Sequence, residues 1–345
     1  MSRLRAVLVT LAVLGTAVST ASATAPGKNG QLVFRRYLDP ERTTGPLFVA
    51  NPDGSKVRQI THPAKGVIDQ EADWSPDGRK IAFERRVPCP AGGPQNGLDN
   101  FCDLVYTVNR DGKALKPLVS CDFAETCHVV DTPAWSPDGS KIAYAYGVSD
   151  PKYAESFNFD EGIWIANATG KGARQVTQLT PGTSWDFGPQ WSPDGKKLVF
   201  VRADVKRQAD AVFTVNVDGT GVSQVTPWDL NAGDGPDWSP NGKWLLFRAQ
   251  PADGASNVFK SHPDGSALTN LTKQAASGMH YLSSSFSPDG RMIVTARTPG
   301  TGPDGAADIV VMRADGSNAR AVTKSPLWES AADWGPRISA TKKGH

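Results

Sequence analysis

Along this chain, short apolar runs and tight polar turns follow one another at a regular interval. The runs Ile81-Ala82-Phe83, Ile142-Ala143-Tyr144, Leu198-Val199-Phe200, Leu245-Leu246-Phe247 and Ile293-Val294 are unbroken by polar residues. A strand with one wet face alternates, so these runs predict strands covered on both faces. Each follows a turn written Trp-Ser-Pro-Asp-Gly, which starts at Trp74, Trp135 and Trp191, with variants at Trp238 and Phe286 and a worn copy, Trp334-Gly335-Pro336. Pro presets φ at the first turn position, Asp tolerates the second, and Gly takes the left-handed conformation. Every copy therefore predicts a hairpin.

A second set of apolar runs comes later in each unit: Leu47-Phe48-Val49, Leu104-Val105-Tyr106, Ile163-Trp164-Ile165, Val212-Phe213, Val258-Phe259 and Ile309-Val310-Val311. Most lead into an Asp-Gly turn, such as Asp53-Gly54 or Asp264-Gly265, the dipeptide that two-residue hairpins favour. A short strand usually ending in Thr follows, as at Ile60-Thr61 and Val322-Thr323. That makes four strands per unit.

The aromatic positions are spaced 61, 56, 47, 48 and 48 residues apart, a period of propeller blades or solenoid coils. The two ends of the chain discriminate between them. The amino-terminal unit has no Trp-Ser-Pro stretch before Leu32, and Trp334 opens a first strand with no partner after it. Joined, they make one blade and close a ring. The expected fold is all-β, a six-bladed β-propeller of four-stranded antiparallel blades over residues 31–337, with a lead-in at 24–30 and a tail at 338–345.

Ahead of the repeats, Arg3 and Arg5 precede an apolar stretch from Ala6 to Val18, too short to span a bilayer, and Ala21-Ser22-Ala23 has the small-x-small form of a signal-peptidase site. A signal peptide over 1–23 and secretion of the remainder, extracellular or periplasmic, are expected. The whole sequence has 37 basic and 35 acidic residues; losing Arg3 and Arg5 balances them. Nothing in that balance calls for nucleic acid or an anionic membrane as partner, and a monomer without a membrane span is expected.

The repeated Trp-Ser-Pro-Asp-Gly with its following Ile-Ala-Phe resembles the WD40-like, or PD40, repeats of the TolB family of six-bladed propellers, from about Leu32 to Arg337. The resemblance implies the blade and does not name a function, since the same repeat serves periplasmic assembly proteins and the gating propellers of oligopeptidases. Two features of those relatives are not expected here. Blade one starts almost directly after the expected signal peptide, leaving no room for the α/β domain that precedes the propeller in TolB. The Gly-x-Ser-x-Gly elbow of the oligopeptidases does not occur in this sequence.

The turns between strands one and two, and three and four, share one face of such a disc, and the longer connections share the other, where binding sites usually sit. On that loop face fall all four cysteines. In an exported chain they suggest disulfides, with Cys89–Cys102 and Cys121–Cys127 preferred because each staples its own loop; a four-thiolate zinc site would need closer pairs. Just before the inner strands stand Asp69, Glu71, Asp131, Asp186, Asp234 and Glu329, which could ring the channel mouth and attract a cation such as calcium, or simply cap turns. His62, His128 and His280 reach the same face without metal-ligand spacing. Trp185, Trp228, Trp328 and Tyr281 fall in connections, where they could stack on sugar rings, pack on a partner or cover the core.

No catalytic constellation emerges. The function expected is a secreted binding or scaffolding module that holds a protein, peptide or glycan at the loop face and channel mouth. The rival is an extracellular metal-assisted lyase or hydrolase of a polymer, using the acidic ring with His128 or His280.

Overall fold

The computed structural model describes residues 26–89, 101–119, 127–149, 159–179, 182–251, 256–273, 278–299 and 306–338. The expected signal peptide, Cys121 and the end of the tail lie outside the described residues. The described residues form six antiparallel sheets of four strands, each counted outward from a common axis. Blade two, for instance, runs Ile68–Trp74, Lys80–Pro88, Phe101–Asn109 and Lys116–Val119. The inner strands of blades three to six are Cys127–Trp135, Ser184–Trp191, Ala232–Trp238 and His280–Phe286.

Blade one is assembled from both ends of the chain. Glu329–Pro336 is its inner strand, paired with Asn29–Arg36, beyond which lie Leu47–Ala50 and Arg58–Gln59. Leu32 stands opposite Trp334, so the ring closes as the complementary ends predict.

The Trp-Ser-Pro-Asp-Gly turn has a hydrogen-bonding reason for most of its letters. In the first copy the Ser75 hydroxyl donates to Asp77 Oδ1 at 2.7 Å and accepts the Lys80 N–H at 2.9 Å. The Gly78 N–H closes the turn onto the Ser75 carbonyl at 2.8 Å, with φ at +68°. The same serine bonds recur at Ser136, Ser192, Ser239 and Ser287. The closing threonines are equally specific: Thr61, Thr177, Thr226, Thr272 and Thr323 each accept, on Oγ1, a backbone N–H from the third strand of their own blade.

The core lies between blades. Each hydrophobic cluster straddles two neighbours, as where Val33, Leu47, Val49 and Ile60 of blade one meet Trp74, Ile81, Phe83 and Val108 of blade two. Both faces of a middle strand are thus buried, which is why the apolar runs do not alternate. The Asp-Gly turns take part in this docking. At Gly54 an added Cβ would stand 2.5 Å from the carbonyl oxygen of Val322 in blade six, and at Gly265 the same distance from that of Val225 in blade four. Glycine there serves the turn and the close approach of the next blade.

The worn sixth copy also has a packing cause. A Cβ on Gly335 would come within 2.5 Å of the Trp74 ring, so the serine of the other copies does not fit where the chain closes on blade two.

A candidate site in the axial channel

Each inner strand breaks register with its neighbour shortly before the repeat aromatic. The shifts fall between Gln70 and Asp73, Asp131 and Ala134, Phe187 and Gln190, Gly233 and Asp237, and Tyr281 and Ser284, with a matching irregularity in blade one. Several residues there take left-handed φ: Glu71 (+45°), Thr132 (+45°), Asp234 (+62°) and Ala331 (+52°). A bulge of this kind re-aims side chains. Here it divides the six acidic positions singled out in the sequence into two sets.

One set is taken up inside the blades. Asp69 accepts both arms of the Arg85 guanidinium, at 2.6 and 2.9 Å, and Asp186 accepts those of Arg202 at 2.7 and 2.8 Å. Glu329 accepts Arg36 Nε and the hydroxyl of Thr323. All three carboxylates are fully buried. Burial lifts Asp186 and Glu329 above the usual carboxylate range, against the pull of the guanidiniums. Each arginine also lies over the aromatic pair of its own blade, Arg85 at 4.8 Å from the Tyr106 ring, Arg202 at 5.0 Å from Phe213 and Arg36 at 4.6 Å from Phe48. The sequence carries this signal as Phe-x-Arg at Phe34, Phe83 and Phe200.

The other set, Glu71, Asp131 and Asp234, lines a cavity of about 300 Å³ on the axis. Glu84 and Asp103, from the second and third strands of blade two, reach it as well, and so do Asp73, Asp237 and Asp333, each just before a repeat aromatic. Eight carboxyl groups thus share the wall with one guanidinium, that of Arg86, among the described residues. Arg86 Nε lies 3.5 Å from Asp103, and Arg248 stands 3.9 Å from Asp234. Burial, reinforced by Asp234 and Glu84, pushes Glu71 up to about 8; burial and Asp103 push Glu84 up to about 8. Asp131 is raised by burial and by Glu161 and Glu84, and Asp73 by burial and by Asp333. Such a wall stores unfavourable like-charge energy that protonation or a bound cation relieves.

Sequence reasoning misses the aspartates that precede the aromatics. Their carboxylates link blades: Asp333 accepts the Trp74 N–H at 3.0 Å, Asp73 that of Trp135 at 2.7 Å, and Asp237 that of Phe286 at 2.7 Å. The Asp-Trp pairs at 73–74, 237–238 and 333–334 are visible in the sequence, but without the bulge they read as ordinary strand residues.

The other candidates scatter. Trp328 carries the Arg42 guanidinium 3.7 Å above its ring, and Trp228, opening a short 3-10 turn over Trp228–Leu230, packs on Phe213 and Arg207. Trp185 is half-buried on its inner strand, and Tyr281 is buried in the core between blades five and six. His280 is half-buried, its Nδ1 3.4 Å from the Ser256 N–H, and His62 is exposed beside Gln59. The side chains of His128 and Cys127 lie outside the described residues. Among those described, no group of three or more His, Cys, Asp or Glu is placed to hold a metal ion. Cys89 and Cys102 are joined as expected, and the Cys121–Cys127 pairing falls outside the description.

Ring, blade and axial cavity together define a six-bladed β-propeller. Residues 122–338 match the sequence profile of the TolB β-propeller domain, PD40, and the chain belongs to that family. It is 30% identical over 208 residues to a TolB homologue of Chlorobium luteolum, covering 48% of this chain and 46% of that protein. A second match, an uncharacterised peptidase of Bacillus subtilis, is 27% identical over 32% of this chain and 16% of its own length. The chain thus aligns with less than half the length of the curated relatives it matches. Among solved structures it superposes on TolB of Acinetobacter baumannii with a TM-score of 0.65 at 17% identity, covering 89% of this chain and 67% of that one. A TolB-like protein of Agrobacterium tumefaciens gives 0.60 at 18%, covering 90% and 100%. At these identities the structural likeness speaks for the fold alone.

Proposed function

We propose that the protein is an exported binding module that engages a protein or peptide partner on its loop face, over the mouth of the acidic channel. The observation that carries this reading is the channel wall, where carboxyl groups crowd a cavity with too few counter-charges to satisfy them. A closed ring without partners would gain stability by neutralising such a wall, and retaining it is consistent with a role in binding. Export is supported by the Cys89–Cys102 bridge and by the basic, apolar and small-residue order of the leader. Amino-terminal sequencing of protein recovered from outside the cytoplasm is expected to begin at Thr24.

The binding reading is tested by selecting peptides from a displayed random library on the mature protein. Selected peptides are expected to bind the wild type and to lose at least about tenfold in affinity towards an Asp131→Asn/Asp234→Asn variant, the size of one charge-assisted contact. Failure to enrich any peptide, or equal binding to both proteins, would count against it.

A further inference from the structure

Blade three departs from the arginine–acid pairing of blades one, two and four. In those blades the arginine stands directly opposite its acid on the inner strand: Arg36 opposite Glu329, Arg85 opposite Asp69 and Arg202 opposite Asp186. At the same register in blade three, the second strand Lys141–Ser149 has Tyr146, and the inner strand sets Val130 opposite it. Neither charge is present. The ring that the arginine covers is kept, because Trp164 on the third strand Phe159–Asn167 faces Tyr144 as Tyr106 faces Phe83 and Phe213 faces Phe200.

A cavity of about 330 Å³ opens at this place, lined by Tyr146, Glu161, Gly162, Trp164, Gln175 and Gln178. The two aromatic rings form one corner, 5.3 Å apart and inclined at 57°. Gly162, opposite Tyr146, puts no side chain where blades two and four carry Leu104 and Ala211; a Cβ on it would lie 2.9 Å from the Thr177 carbonyl oxygen. Glu161 supplies a second, independent feature. It is only 8% exposed, enters no hydrogen bond or ion pair among the described residues, and keeps its carboxyl oxygens open to the cavity. Burial, reinforced by the negative charges of Asp103, Asp186 and Glu84, pushes it up to about 8. A carboxyl so enclosed and without a donor is unfavourable until a cation completes it.

The fold shows three times what this combination of groups accepts. In blades one, two and four a guanidinium lies 4.6 to 5.0 Å from the ring that Trp164 replaces, beside a buried carboxylate. A planar, weakly hydrated cation stacks on aromatic faces and forks a carboxylate, which a compact ammonium does less well. We propose that the cavity receives the guanidinium of an arginine side chain from a peptide partner, stacked on Tyr146 and Trp164 and paired with Glu161. For the peptide source this rests on the binding reading above, since Gln178 begins the connection from blade three to blade four, on the loop face.

The test is a nuclear magnetic resonance titration of the ¹⁵N-labelled mature protein, followed at the indole N–H of Trp164, which Trp164→Phe identifies. The ligands are capped Ala-Arg-Ala, Ala-citrulline-Ala and Ala-Lys-Ala, and free arginine. The arginine peptide is expected to shift this signal and to bind at least about tenfold tighter than the citrulline peptide, its neutral isostere, and tighter than the lysine peptide. Glu161→Gln is expected to remove at least about tenfold of that affinity. The ranking of ligands is read on the wild type, so a variant that fails to fold does not remove the test. Citrulline or lysine peptide binding as tightly as arginine overturns the inference, and so does an arginine affinity unchanged in a folded Glu161→Gln. Free arginine binding at least about tenfold tighter than the capped peptide would make the ligand a small molecule and overturn the peptide source. In each of these cases library-selected peptides that lose affinity for the Asp131→Asn/Asp234→Asn variant leave the binding reading standing. If the arginine peptide binds at Trp164 and the library enriches nothing, the guanidinium site stands and the channel reading falls.

Discussion

At the scale of single residues, what distinguishes this propeller is where its carboxyl groups end up. Asp69 and Glu71 are two apart, yet one is forked by Arg85 and the other faces an unneutralised channel, because the bulge at Glu71 turns it. The sequence presents both as equivalent acids before a strand, and their difference becomes legible only with the register shift. Glu84, 3% exposed and hydrogen-bonded to Gln70, shows the consequence for stability. Its folded value is raised to about 8 from an ordinary 4.5, so its proton stabilises the fold below about pH 4.5 and that stabilisation is lost as pH rises to 8. Glu84→Gln is therefore expected to match the wild type at about pH 5 and to exceed it at about pH 9 by at least about 1 kcal/mol, read from urea midpoints. A variant weaker than wild type at the alkaline end would contradict this account.

At the scale of elements, the unit that repeats is the blade with its internal clamp. In blades one, two and four the clamp is an arginine on the second strand, stacked on two aromatic rings and gripping the first-strand acid. Removing one partner strands a buried charge. Arg85→Met is expected to cost about 3–5 kcal/mol in chemical denaturation, and the double change with Asp69→Leu to recover most of it. Equal losses in single and double variants would show that packing, and not the ion pair, matters there. The turns, strands and blade count are legible in the sequence because each depends on local chemistry: Pro, Asp and Gly in the hairpins, unbroken apolar runs between them, and Thr at the outer ends. Phe-x-Arg is equally visible, but its meaning depends on an acid 16 residues away in blades two and four and 293 away in blade one, adjacent only once the strands pair.

For the whole molecule, stability is shared around a ring. Every hydrophobic cluster belongs to two blades, and the last inner strand is bonded to the first strand of the chain, Val33 opposite Asp333 and Arg36 opposite Glu329. A chain ending at Trp328 would deprive Leu32 and Phe34 of Ala332 and Trp334, and Trp74 of Asp333. Such a truncation is expected to abolish the cooperative thermal transition seen by near-ultraviolet circular dichroism, whereas loss of residues 339–345 is expected to leave it intact. A sharp transition in the shorter chain would mean that blade one is dispensable.

The sequence alone determined the blade, its number and the closure of the ring, because hairpin chemistry and apolar periodicity act over neighbouring residues and repeat themselves six times. It also marked which residues were acidic and which loops were long. What only the tertiary structure decided is which acids meet an arginine and which share the axis. That choice turns on bulges one residue long and on contacts between strands far apart in the chain, where a single shift of register moves a carboxylate from a salt bridge to an open channel.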